Sequence, residues 1–243
     1  MCNLNIYELR MIKGQGMKDF SEWRREAVND LVAENILRTR CVIDAMMKVP
    51  REEFLPPDVQ NHAYVDSPLP IGFGQTTSAL HMTALFCEYS GMKLGQRVLE
   101  VGGGCGYMSC VYAEVVAPTG HAPEEWGEVW SVEIVSGLAQ VGERNVKRTG
   151  YSDRVTFVEG DASEGLDGAG SFDVIITTSA APDIPDKLID QLNPGGVLLI
   201  PVGHAGYSQE LIRVRKSKQG ILSHEDLGGV AFVPMRGKRG WAP

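Results

Sequence analysis

Short apolar runs alternate with segments of helical periodicity through most of the chain after residue 97. The runs are typical of buried strands, and the segments between them repeat apolar positions three and four residues apart. The pattern predicts strands at 98–101, 129–133, 155–158, 173–177 and 197–202, and helices at 107–116, 136–148 and 184–191. Strands separated by helices form a mostly parallel sheet covered on both faces. We therefore expect an α/β fold with a Rossmann-like, doubly wound sheet.

The region before this alternation is helical in pattern and then rich in proline. Apolar positions recur at helical spacing over 20–48, which predicts two amphipathic helices. These end before Pro50, because proline disfavours helical backbone in the residue that precedes it. Residues 51–74 contain four prolines and are expected to form an extended loop, and loops of this length tend to be functional.

Three further elements complete the predicted secondary structure. A helix is expected at 78–92, with Thr77 or Ser78 as its N-cap, because both residue types favour that position. Strands are expected at 210–215 and 230–233.

The domain organisation that follows is simple. Residues 1–18 have little pattern and form a leader, and the start of the protein is either Met1 or Met17. Residues 19–243 form one domain, in which 19–75 is a helical cap with a loop and 76–243 is the binding core.

Net charge, cysteine spacing and the length of apolar runs limit the kinds of partner that the protein can bind. The 243 residues carry a formal net charge of −8, which argues against nucleic acid, since phosphate binding relies on many cationic side chains. A basic cluster of Arg213, Arg215, Lys216 and Lys218 is interpreted as a solvated strand edge. Five cysteines without C-x-x-C spacing indicate a reducing compartment and no metal site. No segment approaches the ~20 apolar residues that span a bilayer, so we expect a cytoplasmic protein that binds neither membrane nor nucleic acid.

A glycine-rich turn follows the first strand of the alternation. Glu100, Gly102, Gly104 and Gly106 form the motif E-x-G-x-G-x-G, whose glycines let a ligand approach the backbone closely. The dinucleotide fingerprint G-x-G-x-x-G fails, because the sixth position from Gly102 is Tyr107, and no G-K-[ST] phosphate loop follows. The ligand is therefore expected to be a nucleotide-like cofactor of another kind.

Two acids stand at the ends of the next two strands. Glu133 is placed to accept both hydroxyls of a ribose, and Asp161 to accept the exocyclic amine of an adenine. Either acid could instead cap the following segment. Carboxyl ends of parallel strands meet at one sheet edge, so the glycine turn and both acids would converge there. This arrangement resembles the S-adenosylmethionine-dependent methyltransferases of class I.

Four longer segments extend the resemblance to one family. They are YVDSPLPIGFGQTTSALHM at 64–82, LEVGGGCGY at 99–107, SAAPDIPDKLIDQLNPGGVLLIPVG at 179–203 and GGVAFVPMRGKRGW at 228–241. Together they resemble the protein-L-isoaspartate (D-aspartate) O-methyltransferase family over nearly the whole chain from about residue 31.

The resemblance implies roles for individual residues. Ser78 matches the active-site serine, which also contacts substrate, and Gln209 matches a glutamine near the cofactor. The cofactor-binding residues implied are Thr76, Thr77, Glu100, Gly102, Gly104, Gly106, Glu133, Ile134, Asp161, Ala162 and Gln209. The substrate-binding residues implied beside Ser78 are Val230, Ala231, Phe232 and Val233.

The implied reaction is methylation of the α-carboxyl of an isoaspartyl residue in a damaged protein, with S-adenosylmethionine as donor and S-adenosylhomocysteine as product. The ester then collapses to a succinimide that can reopen to aspartate. A carboxylate is already ionised at neutral pH, so its attack needs no general base. We expect a monomer acting on isoaspartyl-containing peptides and proteins.

Two departures from the family pattern leave alternatives open. The family's usual T-I-S-A-P or T-I-S-Q-P reads T-T-S-A-L at 76–80, so Thr77 replaces isoleucine and Leu80 replaces proline. The usual V-T-A-G-A-P reads T-T-S-A-A-P at 177–182. Both changes are expected to lie near the substrate. The alternatives are a methyltransferase acting on aspartyl side chains of a peptide precursor, and a cofactor-binding module without catalysis.

Overall fold

The computed structural model describes residues 19–204 and 208–241, so the expected leader at 1–18 lies outside the described residues. A two-stranded hairpin precedes the main sheet. The strands of the described ranges are β1 (Leu69–Gly72), β2 (Gln75–Thr77), β3 (Arg97–Val101), β4 (Glu128–Glu133), β5 (Val155–Glu159), β6 (Phe172–Thr177), β7 (Leu192–Val202), β8 (Gln209–Lys216) and β9 (Leu222–Val230).

The main sheet has seven strands in the order β5-β4-β3-β6-β7-β8-β9. The strands from β5 to β7 in that order run parallel to one another. Strand β8 pairs antiparallel with β7, and β9 pairs antiparallel with β8. The chain moves outward from β3 in one direction to β4 and later in the other direction to β6. This reversal makes the carboxyl end of β3 the switch point where such sheets bind ligands. The expected doubly wound α/β fold is confirmed.

Six α-helices of the described ranges accompany the sheet. They are α1 (Phe20–Ala33), α2 (Arg40–Lys48), α3 (Leu80–Ser90), α4 (Tyr107–Val116), α5 (Ser136–Arg148) and α6 (Asp186–Asp190). The first helix begins after Asp19, whose carboxylate accepts the Ser21 and Glu22 N–H groups. Such capping pairs donors that a helix start leaves unsatisfied.

The central strands are buried on both faces, which explains their nearly continuous apolar sequences. Val98 and Leu99 on β3 are both fully buried, but they belong to different apolar clusters. Val98 packs in the cluster that contains Tyr112 of α4 and Leu138 of α5. Leu99 packs in the cluster that contains Leu188 of α6. The sheet is therefore held between two helical layers.

The helix expected at 78–92 begins later than the sequence pattern indicates. Thr77 is the last residue of β2 and pairs with Leu69 of β1. The helix α3 starts at Leu80, and its N-cap is Ala79, which makes no side-chain capping bond. The prediction of Thr77 or Ser78 as N-cap is therefore wrong, because strand pairing keeps this segment extended.

Two other expected elements also require correction. The strand predicted at 230–233 is wrong beyond Val230, since β9 ends there. Most of β9 is exposed, so it lacks the apolar alternation that marks a half-buried strand. The stretch 51–74 is also more ordered than expected, because it contains β1 and two 3₁₀ turns, Arg51–Phe54 and Gln60–His62.

Two residues of the basic cluster, Arg213 and Lys216, make contacts within the fold, whereas Arg215 and Lys218 are exposed. Strand β8 lies between β7 and β9, so it is an internal strand. Arg213 is largely buried and forms an ion pair with Glu225 on β9. The Lys216 Nζ donates to two carbonyl oxygens, those of Ile189 and Leu192, at 3.0 and 2.9 Å. These side chains therefore satisfy groups within the fold.

Candidate functional site

A cleft opens at the carboxyl ends of β3, β4 and β6, where the strand order reverses. Its empty volume, including the open mouth, is about 640 Å³. The expected site residues that line it are Thr76, Thr77, Ser78, Glu100, Gly102, Gly104, Glu133, Ile134 and Val233. Those that do not line it are Gly106, Asp161, Ala162, Gln209, Val230, Ala231 and Phe232.

The glycine loop, residues 102–106, forms the floor of this cleft and needs its glycines for close packing. Gly102 has φ +100°, and a Cβ there would lie 2.3 Å from the Thr178 Oγ1. That hydroxyl donates to the Gly102 carbonyl oxygen at 2.6 Å and fixes the loop. Gly106 has φ +86° and would place a Cβ 3.1 Å from the Gly142 carbonyl oxygen. Gly106 therefore shapes the loop without lining the cleft.

Thr178 is a cleft residue whose role was not foreseen. The sequence places Thr178 in a segment expected near the substrate. In the structure, its hydroxyl holds the glycine loop that follows the neighbouring strand β3. Ile71, Gln75 and Arg236 also line the cleft without having been singled out. All three lie in segments that carry the family resemblance, 64–82 and 228–241, but the resemblance implies no individual role for them.

Glu133 connects the glycine loop to the start of α5. One carboxylate oxygen accepts the Gly104 N–H at 2.9 Å, and the other accepts the Val135 N–H at 2.9 Å. The side chain is only 6% exposed and lines the cleft. Each carboxylate oxygen can accept more than one hydrogen bond. Glu133 can therefore bind ribose hydroxyls while it holds the loop.

Glu100 is a fully buried carboxyl at the end of β3. Its Oε2 accepts hydrogen bonds from the hydroxyls of Ser109 and Ser131, the second at 2.7 Å. Its Oε1 is buried and has no hydrogen-bond partner within the described part of the chain. Burial raises the pKa of Glu100 to about 8, although both serine hydroxyls act in the opposite direction.

These groups fit S-adenosylmethionine. The unpartnered Oε1 of Glu100 can accept an ammonium group, and the Glu133 carboxylate can accept hydroxyl groups. Gly102 and Gly104 leave the backbone open to close approach. The cleft thus presents acceptors for the methionyl amine and the ribose of one ligand.

Ser78 lines the cleft from the segment between β2 and α3. Its carbonyl oxygen accepts a hydrogen bond from Arg51 Nη2 at 2.8 Å. Arg51 is fully buried, and its guanidinium lies 5.2 Å from the ring centroid of Tyr107. Its Nε and Nη1 have no hydrogen-bond partners among the described residues. A buried arginine therefore holds the backbone that carries the expected active-site hydroxyl.

Asp161 makes capping contacts outside the cleft. Its Oδ1 accepts the Ser163 N–H at 2.9 Å, and its Oδ2 accepts the Lys238 N–H at 2.9 Å. Asp161 therefore caps backbone N–H groups, which is the alternative role expected for an acid at a strand end. An adenine-binding role for Asp161 and Ala162 stays a prediction.

Gln209 and Phe232 belong to the packing behind the cleft. The Gln209 Oε1 accepts the Phe232 N–H at 2.8 Å, and the Phe232 ring lies 5.6 Å from that of Phe86. Val233 is the member of the expected substrate segment that lines the cleft. Contacts of Gln209 with cofactor, and of residues 230–232 with substrate, stay predictions.

Residues 19–204 and 208–241 contain no group of three or more His, Cys, Asp or Glu arranged to hold a metal ion. Within the same ranges, no helix has the length and apolar character required to cross a bilayer.

Known proteins resemble this chain in both sequence and fold. The sequence profile of the protein-L-isoaspartate(D-aspartate) O-methyltransferase family matches residues 22–240. The protein-L-isoaspartate O-methyltransferase of Hyperthermus butylicus is 48% identical, over 91% of this chain and 92% of that protein. The protein of the same name from Methanothermobacter thermautotrophicus is 43% identical, over 90% of this chain and 97% of that protein.

Two solved structures share the fold. One, a protein-L-isoaspartate O-methyltransferase, has a TM-score of 0.78 and 30% identity, covering 89% of this chain and 67% of that one. The other, from Plasmodium falciparum and in complex with S-adenosyl-L-homocysteine, has a TM-score of 0.74 and 25% identity, covering 89% and 98%. Because the family profile spans nearly the whole chain and close relatives match it end to end, this chain belongs to the protein-L-isoaspartate(D-aspartate) O-methyltransferase family.

Proposed function

We propose that this protein transfers the methyl group of S-adenosylmethionine to the α-carboxylate of isoaspartyl residues in damaged proteins. The observation that carries the proposal is that Ser78 and Glu133 line the same cleft. A cofactor held by the glycine loop and an acceptor held near Ser78 would therefore meet in one space. The names of the relatives describe the same activity.

When bound, S-adenosylmethionine supplies an electrophilic methyl group on a sulfonium. Glu133 would hold the ribose, and the free oxygen of Glu100 would accept the methionyl ammonium. The glycine loop brings backbone rather than side chains to the ligand. These contacts leave the side of the cleft formed by Ser78 for the acceptor.

The acceptor needs orientation rather than deprotonation. A carboxylate is ionised well below neutral pH and is a competent nucleophile without a general base. The Ser78 hydroxyl would donate to one carboxylate oxygen and leave the other free to attack in line. Arg51 fixes the Ser78 backbone, so this donor is positioned before substrate arrives. Alignment of this kind accounts for a large share of many enzymatic rate enhancements.

Of the two atypical residues Thr77 and Leu80, Leu80 faces the core, whereas Thr77 also lines the cleft. Both side chains are buried, Leu80 at 2% exposure and Thr77 at 6%. Leu80 belongs to the main apolar cluster. The Leu80 substitution therefore acts on packing, whereas Thr77 lies among the cleft-lining residues, where a comparison of isoaspartyl and aspartyl peptides tests its effect on specificity.

The decisive experiment compares two peptides that differ only in the linkage at one residue. Purified protein and S-adenosylmethionine are incubated with an isoaspartyl peptide and with its aspartyl counterpart, and the base-labile methyl ester is quantified. We expect rapid methylation of the isoaspartyl peptide, followed by succinimide detectable by mass spectrometry. Preference for the aspartyl peptide would favour the precursor-modifying alternative. Cofactor binding without turnover on either peptide would favour the non-catalytic module.

We also propose that the protein acts as a monomer in the cytoplasm. Cys87, Cys105 and Cys110 are free and buried, which suits a reducing compartment. The large apolar side chains that are exposed in the described ranges are mostly scattered among separate elements, as is normal for a monomer. Light scattering coupled to size-exclusion chromatography would give the monomer mass, and a dimer mass would contradict the proposal.

A further inference from the structure

A cationic side chain stands at the mouth of the cleft. Arg236 is exposed and lines the cleft, on the same side as Val233 and Pro234. It lies in the C-terminal wall, which we define as residues 233–241. The two carboxylates of the cleft, Glu100 and Glu133, are buried on the cofactor side. Arg236 therefore lies where a substrate chain would enter.

The C-terminal wall is held firmly against the sheet. The Met235 N–H donates to the Ala180 carbonyl oxygen at 2.8 Å, and the Ala180 N–H donates to the Val233 carbonyl oxygen at 2.8 Å. The Trp241 N–H donates to the Met235 carbonyl oxygen at 2.9 Å. Met235 is 1% exposed. The backbone that carries Arg236 is thus fixed, and its side chain projects from a rigid base.

The neighbouring cations of the wall differ from Arg236 in having acidic partners. Lys238 lies 3.4 Å from a Glu164 carboxylate oxygen, and Arg239 lies 3.6 Å from one of Asp183. For Arg236, no carboxylate lies within ion-pair distance in residues 19–204 and 208–241. Among Arg236, Lys238 and Arg239, the cation that lines the cleft is therefore the one without an acidic partner in the described residues.

We infer that Arg236 binds an acidic side chain next to the isoaspartyl residue, so that this enzyme prefers damaged sites with acidic flanks. This inference rests on the proposed function. The reacting carboxylate itself is a poorer partner, because an adjacent guanidinium would lower its basicity and weaken its attack. A flanking carboxylate does not react, so lowering its basicity does not slow methyl transfer. The planar guanidinium also matches the geometry of a carboxylate.

The test uses three isoaspartyl peptides that are identical except for Glu, Gln or Lys at one flanking position, with the position tested on each side in turn. Steady-state kcat and KM are measured for the wild type, Arg236→Gln and Arg236→Glu. The matched control is Lys238→Gln, which removes the same charge from the same wall but not from the cleft lining. Calorimetric binding of S-adenosylhomocysteine checks that each variant keeps its cofactor site.

In the wild type, the Glu peptide should have a KM roughly two- to fivefold below that of the Gln peptide, as an exposed ion pair allows. Arg236→Gln should abolish this preference while keeping activity on the Gln peptide, and Arg236→Glu should transfer the preference to the Lys peptide. Lys238→Gln should retain the wild-type order.

Two outcomes would overturn the inference. One is equal wild-type KM for the three peptides at both flanks, and the other is an equal loss of preference in Lys238→Gln, which would indicate net charge alone. A wild type that methylates none of the isoaspartyl peptides would instead refute the proposed function, so the two failures are distinguishable.

Discussion

Glu100→Gln tests the energetic cost of a buried carboxyl at the cofactor site. Glutamine has the same shape as the neutral acid and keeps an acceptor for Ser109 and Ser131. The difference between the two proteins is therefore the ability of Glu100 to ionise. In the wild type, ionisation places a negative charge in a fully buried position.

The sign and size of the effect follow from the two pKa values. Glu100 has a folded-state pKa of about 8 against an ordinary value of 4.5. The folded state then binds the proton more tightly than the unfolded state, so stability is lost as pH rises from 4.5 to about 8. At pH 7 the cost is about 3 kcal/mol, from the two titration curves and ~1.36 kcal/mol for each pKa unit.

Urea unfolding of the protein without cofactor, followed from about pH 5 to pH 8, measures this cost. We expect Glu100→Gln to exceed the wild type by about 1 kcal/mol near pH 5 and by about 3 kcal/mol at pH 7. The exposed residue Glu159 on β5 provides a control, since Glu159→Gln removes one formal charge without burial. Parallel profiles for the wild type and Glu100→Gln would refute the reasoning, because Glu100 would then titrate alike in both states.

Four further predictions concern the same cleft. If Glu100 accepts the methionyl ammonium, S-adenosylhomocysteine binding near pH 7 should release close to one proton, measurable by calorimetry in buffers of different ionisation enthalpy; zero release would exclude that contact. Ser78→Ala should lower kcat at least about tenfold with little change in cofactor Kd. Glu133→Ala should raise the cofactor Kd roughly tenfold to a hundredfold, and equal effects of both variants on Kd would contradict the assignment. Arg51→Met should lower kcat about tenfold, because it removes the hydrogen bond to the Ser78 carbonyl oxygen. The thermal midpoint should stay within ~3 °C, because the substitution also removes two buried guanidinium nitrogens that have no partners.

Much of the fold was predictable because its signals are local. The central strands are apolar throughout, since helices cover both faces of the sheet. The segments with the weakest agreement are those whose structure depends on pairing with distant residues. Thr77 and Ser78 resemble a helix start, but Thr77 pairs with β1, and β9 is a strand through its bonds to β8 rather than through its own pattern.

The residues of the candidate site also differ in whether the sequence alone could predict them. The sequence by itself predicted the glycine loop and the acid at the end of β4, because each directly follows or ends a local apolar strand. Only the tertiary structure decided that Thr178 fastens that loop, that Arg51 holds Ser78, and that Arg236 stands at the mouth. It also decided the raised pKa of Glu100, since burial depends on every element packed around β3. Contacts between segments distant along the chain arise from packing, and no local pattern encodes them.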